Sequence, residues 1–183
     1  AGWEGNMDAF RVEDGAIVCG TIEAPNPQNE YLCTKKKYTN FELRLKCKAN
    51  RVDQSKVKEP LPVYSPNGGI QIRSQRVANS NQILGYQVDA GPTSWGNLYD
   101  ERRHRHLFQM KPEARDKLVR KGQWNDYVIR CNGLRVQIWL NGTMTVDYTE
   151  ADHTLPQTGV FGLQIHAGPP GELWYKDITI KEF

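Results

Sequence analysis

Three short segments each carry two polar side chains spaced two residues apart: Gln71 and Arg73 in Gly69-Ile-Gln-Ile-Arg-Ser74, Gln87 and Asp89 in Gly85-Tyr-Gln-Val-Asp89, and Gln164 and His166 in Gly162-Leu-Gln-Ile-His166. Alternate side chains of a strand share a face, so Ile70/Ile72, Tyr86/Val88 and Leu163/Ile165 point into a core while the six polar groups share the other surface. An arginine, an aspartate, a histidine and three glutamines on one sheet face suit a polar ligand. His166 at a strand end can serve as a base, a metal ligand or a plain hydrogen-bonding group. Asp89 precedes Ala90-Gly91-Pro92, where capping a turn is the simpler role.

The elements that must position these residues are strands. Asp14-Gly15, Asn132-Gly133 and Asn141-Gly142 each separate alternating segments, and such dipeptides tolerate the positive φ angles of tight hairpins. Further strands are expected over Tyr31–Thr34, Phe41–Lys48 and Leu173–Ile180, and only Pro112–Val119 has helix-like content. About a dozen short strands with frequent turn signals predict an all-β, two-sheet antiparallel sandwich or jelly roll with one short helix at most. Arg51–Pro66 and Gly91–Lys111 read as loops. The second starts directly after Asp89 and mixes aromatics, acids, bases and two histidines, as a functional loop does. Trp95 and Tyr99 within it are either anchoring hydrophobes or a wall for stacking a sugar. Asp100 and Glu101 beside Arg102 and Arg103 can form a surface ion-pair cluster instead of a catalytic group. His104 and His106 have an i, i+2 spacing that metals can use, with a solvated basic loop as the plainer alternative.

The 183 residues fit one domain over 1–183, and a globule of this size buries roughly 70% of its unfolded surface, enough for a core without metals or disulfides. Hydrophobic residues at 38% and charged residues at 25%, mixed in sign, exclude a disordered or coiled-coil chain. The basic runs Lys35–Lys37 and Arg102–His106 raise nucleic acid as a partner, but 21 acids against 24 bases and no nucleic-acid signature argue against it. No apolar run approaches the roughly 20 residues of a membrane helix. Cys19, Cys33, Cys47 and Cys131 form no C-x-x-C pair; Cys19 and Cys33 flank a reversal, where a disulfide or burial as small hydrophobes both fit. Phosphate-loop, dinucleotide, zincin and hydrolase-elbow motifs are missing, so chemistry must rest on the strand constellation. The acid pattern Glu-x-Asp-x-x-Glu of jelly-roll glucanases is broken too, since Glu150-Ala-Asp152 is followed by Leu155.

An ordered series of segments resembles a known family: Gly2-Trp3, Phe10–Ile17, Tyr38–Leu43, Asn67–Arg73, Gly85–Asp89, Trp124–Tyr127, Trp139–Gly142, Gly162–His166 and Tyr175–Ile180. Together they are similar to the 3-keto-disaccharide hydrolases, formerly a domain of unknown function numbered 1080. In that family the strand matching Gly85–Asp89 often has Glu in place of Gln87 and Gln in place of Asp89.

The resemblance implies a concanavalin A-like jelly roll from exported bacterial proteins, periplasmic, outer-surface or extracellular. Such a domain can be cut from a longer exported protein, and the first residue here is Ala1. The implied ligand is a glycoside oxidised to a ketone at sugar C3 by a separate sugar 3-dehydrogenase, so no cofactor is required of this chain. The ketone acidifies the C2 hydrogen, a base forms an enolate, and the enolate expels the C1 substituent. On this reading His166 or Asp89 is the base, Arg73 the cation near the enolate, and Glu101 the acid. Gln71, Gln87, Gln164, Tyr99, Trp95 and Arg103 hold the sugar. A divalent metal on His166 and Asp89 is the alternative electrophile. The rival function is a noncatalytic carbohydrate-binding module on the same fold.

Overall fold

The computed structural model describes residues 2–52 and 66–183; the loop expected over Arg51–Pro66 lies, at 53–65, outside them. In chain order the strands are β1 Trp3–Glu4, β2 Phe10–Glu13, β3 Ala16–Thr21, β4 Glu30–Tyr38, β5 Phe41–Arg51, β6 Gly68–Arg76 and β7 Ile83–Ala90. They continue with β8 Leu98–Glu101, β9 Arg105–Phe108, β10 Asn125–Asn132, β11 Arg135–Leu140, β12 Thr143–Thr149, β13 Gly159–Ile165 and β14 Gly171–Glu182. The α-helix α1, Pro112–Leu118, starts on a proline, which needs no donor in the first turn.

The strands form two antiparallel sheets of seven, ordered β1-β4-β13-β6-β7-β8-β9 and β12-β11-β10-β5-β14-β3-β2. The sequence expectation of a jelly-roll sandwich holds. Ile70, Ile72, Tyr86, Val88, Leu163 and Ile165 do turn inward, packing against Leu43, Leu45, Ile129, Ile138, Leu173 and Tyr175 of the second sheet. All four cysteines are free and buried, so Cys19 and Cys33 are packing residues.

Two of the three predicted hairpins close where expected. Asp14 and Gly15 lie between the pair Glu13↔Ala16, and Asn141 and Gly142 between Leu140↔Thr143, all four at positive φ. The third turns one residue late: Asn132 pairs with Arg135, leaving Gly133 and Leu134 as the turn. Gly91–Lys111 is not one long loop. It makes a turn after β7 and then the β8/β9 hairpin, whose reversal is carried by Arg102 and His104 at positive φ.

Register sets the polar face. One row across the first sheet runs Cys33, Gly162, Gln71, Gln87, Tyr99 and His106. The neighbouring row runs Tyr31, Gln164, Gly69 and Asp89. Glycine at 69 is required, because a Cβ there would come within 2.8 Å of the Gln87 side chain.

Candidate functional site

Asp89 stands one residue before the end of β7, on the polar face. Its backbone is fixed from two sides: its N–H donates to Asn97 O at 3.1 Å, and its carbonyl accepts from the buried Tyr127 hydroxyl at 2.7 Å. Its carboxylate accepts one hydrogen bond, from Gln87 Nε2 at 2.8 Å. Gln87 Oε1 in turn accepts from Gln71 Nε2, and Gln71 Oε1 accepts from Ser74 Oγ at 3.0 Å. The chain Ser74, Gln71, Gln87, Asp89 therefore has one direction, and it holds the Gln87 amide with its NH2 toward the acid. Positions 87 and 89, where the resemblance implies an exchange of acid and amide, form one hydrogen-bonded pair.

Asp89, Gln87, Tyr99, Glu101 and His166 line one open cleft of about 670 Å³. Burial raises Asp89 to about 7; the Gln87 hydrogen bond opposes this and the charge of Glu101 adds to it. Burial also raises Glu101, against the attraction of His166 and His104. His166 stands one residue beyond β13 with its backbone N–H on Asn67 O at 2.9 Å. Its Nδ1 lies 2.7 Å from Ala167 O, a pure acceptor, so Nδ1 carries the proton and Nε2 is left as the working nitrogen. The site thus offers two carboxyl groups held above their ordinary range beside an imidazole with a free Nε2.

The other expected residues lie elsewhere. Gln71 and Gln164 are on the polar face but beneath the cleft surface; Gln164 Nε2 donates to Tyr31 OH at 2.8 Å, and its Oε1 is buried without a partner. Arg73 is a correction. A β-bulge between Ile72 and Gln75 puts Arg73 at φ 49° and reverses the alternation after Ile72. Arg73 is 2% exposed and donates to Thr39 O, Gly133 O, Gln157 Oε1 and Asn40 Oδ1, clamping turns of both sheets together. Ser74 takes the polar-face place instead, over Gly85, where a Cβ would lie 2.5 Å from Ser74 Oγ.

Trp95 is 4% exposed and stacks on Tyr127 with ring centroids 6.0 Å apart, so it is a core residue and no sugar platform. Arg103 does not line the cleft: its Nε donates to Asp100 Oδ2 at 2.7 Å and its guanidinium lies over the Tyr86 ring. Asp100 is 0% exposed, and Arg105 joins it to Glu150 at 2.5 and 2.9 Å. Burial works against the Glu150 charge, but hydrogen bonds from Asp152 N–H, Arg105 and Tyr86 hold it at about 2. These charges anchor the β8/β9 hairpin, so of the two readings for Asp100 the ion pair with Arg103 holds, at a buried position.

The hairpin brings residues to the cleft that the strand pattern did not nominate, namely Arg102, His104 and His106; Asn67 and Asn97 add amides at its end. The i, i+2 spacing of the two histidines was the available signal. Tyr99 OH lies 3.1 Å from His104 Nδ1, and the Tyr99 ring packs against His106 at 4.9 Å. Among the described residues no three His, Cys, Asp or Glu side chains converge as a metal-binding group. His166 and Asp89, the pair expected to hold a divalent metal, both line the cleft. No helix among the described residues is long and apolar enough to cross a membrane.

Known structures share this architecture. A candidate glycosyl hydrolase from Parabacteroides distasonis superposes with a TM-score of 0.70 at 16% identity, covering 100% of this chain and 88% of that one. The carbohydrate-binding module CBM66 from Bacillus subtilis gives 0.68 at 12% identity, covering 100% and 96%. A Bacillus subtilis protein of unknown function with a galectin-like fold gives 0.63 at 10% identity, covering 98% and 88%. At these identities the likeness is one of fold. No curated protein matches the chain. The family model of the 3-keto-alpha-glucoside-1,2-lyase-like domain matches residues 1–181, and the chain belongs to that family.

Proposed function

We propose that the protein cleaves 3-keto-glycosides by elimination across C2 and C1 of the oxidised sugar. The observation that carries the reading is the pair Asp89 and Glu101, both in one polar cleft and both with raised pKa. A base with a pKa of about 7 is half ionised near neutrality, so it is available as a carboxylate yet basic enough to take a carbon-bound proton activated by a ketone. The reading of a ketone at C3 is supported by membership in a 3-keto-alpha-glucoside-1,2-lyase-like family.

Asp89 takes the C2 proton, and the C–H electron pair forms the C2=C3 enolate. The enolate re-forms the C3 carbonyl and a C1=C2 double bond as the C1–O bond breaks. The departing oxygen takes the electron pair and a proton from Glu101. Addition of water across C1=C2 then completes hydrolysis. Arg102 is the cleft cation suited to the enolate oxygen, the role the resemblance would give Arg73, and the unprotonated Nε2 of His166 is an acceptor for a proton or a sugar hydroxyl. Tyr99 and Gln87 hold sugar hydroxyls, with Gln71 and Gln164 behind them. The ketone requires a separate sugar 3-dehydrogenase, and the fit to exported bacterial glycan breakdown comes from the family rather than from any feature of the fold.

The test is incubation with a 3-keto glycoside and its unoxidised parent, with and without chelator. Release of the aglycone from the keto compound alone, unaffected by chelator, is the expected result. Chelator-sensitive release would instead assign a metal to His166 and Asp89. Binding without release from either compound would make the protein a carbohydrate-binding module.

A further inference from the structure

Asn97 is the neighbour of Asp89 across the sheet. Asp89 N–H donates to Asn97 O at 3.1 Å, so the two residues face each other where β7 meets the start of β8. Alternation puts the side chains of 97, 99 and 101 on one face, and Asn97, Tyr99 and Glu101 all line the cleft with Asp89. One contact orients the amide. Met110 N–H, which can only donate, lies 2.8 Å from Asn97 Oδ1, so the oxygen faces the backbone and Nδ2 is the end left to the cleft. Among the described residues no hydrogen bond engages Nδ2, and it is not a buried orphan. The backbone beneath is tied to the base as well: the buried Tyr127 hydroxyl accepts from Gly96 N–H at 3.0 Å and donates to Asp89 O at 2.7 Å. Acid and amide are therefore held as one unit.

Elimination needs a donor at this place. When Asp89 takes the C2 proton it becomes neutral, and the negative charge passes to the oxygen on C3, the carbon bonded to C2. However the sugar is turned, that oxygen stays two bonds from the carbon that Asp89 deprotonates, and it can only accept. Arg102 brings charge from the turn beyond Glu101; a directed hydrogen bond beside the base is a separate requirement. We infer that Asn97 is a further catalytic residue, whose Nδ2–H donates to the C3 oxygen and holds it as the enolate forms. The inference rests on Asp89 being the base. No proton moves to Asn97: the C2–H electron pair becomes the C2=C3 bond, and the carbonyl π pair moves onto the oxygen that Asn97 holds.

A 3-keto carbasugar with no oxygen at C1 tests this, since it has a C2 hydrogen beside the ketone but no C1–O bond to break. Deuterium uptake at C2 in heavy water, followed by proton NMR above the protein-free rate, reads enolate formation alone. The rates are compared on the high-pH plateau, where Asp89 is ionised in each protein. Wild type should exchange, and Asn97→Ala should lower the maximal rate by about 10²-fold while the half-saturating concentration changes by less than about threefold. Asn97→Asp keeps an oxygen for Met110 N–H but removes the donor, and it serves where the melting temperature shows that the alanine variant has lost its fold; the same loss is expected. A maximal rate within about threefold of wild type in either folded variant overturns the donor and leaves elimination by Asp89 standing. So does a loss confined to the half-saturating concentration, which would make Asn97 a binding contact only. Absence of exchange in wild type overturns Asp89 as the base, and the donor with it.

Discussion

Replacing Asp89 by Asn separates the burial of this acid from any question of substrate. Asp89 sits at about 7 against an ordinary 3.8, a rise of about three units. At about 1.4 kcal/mol per unit this is on the order of 4 kcal/mol favouring the neutral carboxyl in the folded state. Because the folded pKa lies above the unfolded one, the folded protein binds this proton more tightly. The stabilisation is full below pH about 4 and is lost as pH rises through about 7. Asn has nearly the same shape, still accepts from Gln87 Nε2 and never ionises. Urea denaturation followed by tryptophan fluorescence should therefore find the two proteins similar at pH 4. At pH 8 the variant should be more stable by about 2–4 kcal/mol, the range allowing for relaxation of the wild-type site. Turnover should fall by about 10²-fold or more. If the variant is no more stable than wild type at pH 8, Asp89 ionises without penalty and is no poised base.

Three further outcomes are expected from the same geometry. Gln71→Leu breaks the relay behind Gln87, so the Asp89 carboxyl-carbon titration seen by NMR should move up by about one unit as its donor swings free; an unchanged midpoint would show that Gln87 is held without Gln71. Arg73→Met should cost about 2–4 kcal/mol in chemical denaturation, because carbonyls of both sheets lose their donor, while kcat/KM of the folded protein stays within twofold. A selective loss of turnover would return Arg73 to the site. His166→Ala, at an exposed position, should leave the melting temperature within about 2 °C but lower turnover by about 10²-fold; an unchanged rate would remove the imidazole from the chemistry.

Much of the cleft was legible in the sequence because alternation is a local rule. Gln87, Asp89, Tyr99, Glu101 and His166 reached one cleft as their spacing and neighbourhood required. Arg73 did not, since one inserted residue in β6 turns the later side chains of that strand to the opposite face, and nothing in Ile-Gln-Ile-Arg-Ser announces the insertion. The signal sat in the partner strand, where Gly85 makes room for Ser74. Trp95 was ambiguous for a different reason: a loop tryptophan can cover a core or face a ligand, and only the Tyr127 ring opposite it decides. The β8/β9 hairpin was hidden because its reversal uses Arg102 and His104 at positive φ, without the glycine that marks most tight turns.

The hairpin that walls the cleft is the edge of its sheet, while the hydrogen-bonded relay to the base comes from the central strands β6 and β7. Its attachment is concentrated in Asp100, Arg105 and Glu150, with Arg103 of the turn joined to the same Asp100. Such a layout lets evolution, or an engineer, rewrite what the mouth of the cleft admits while the base stays constant, provided Glu101 and Arg102 of the hairpin are kept. Loop grafts between relatives that keep this triad together with Glu101 and Arg102 should therefore exchange substrate preference as a portable trait.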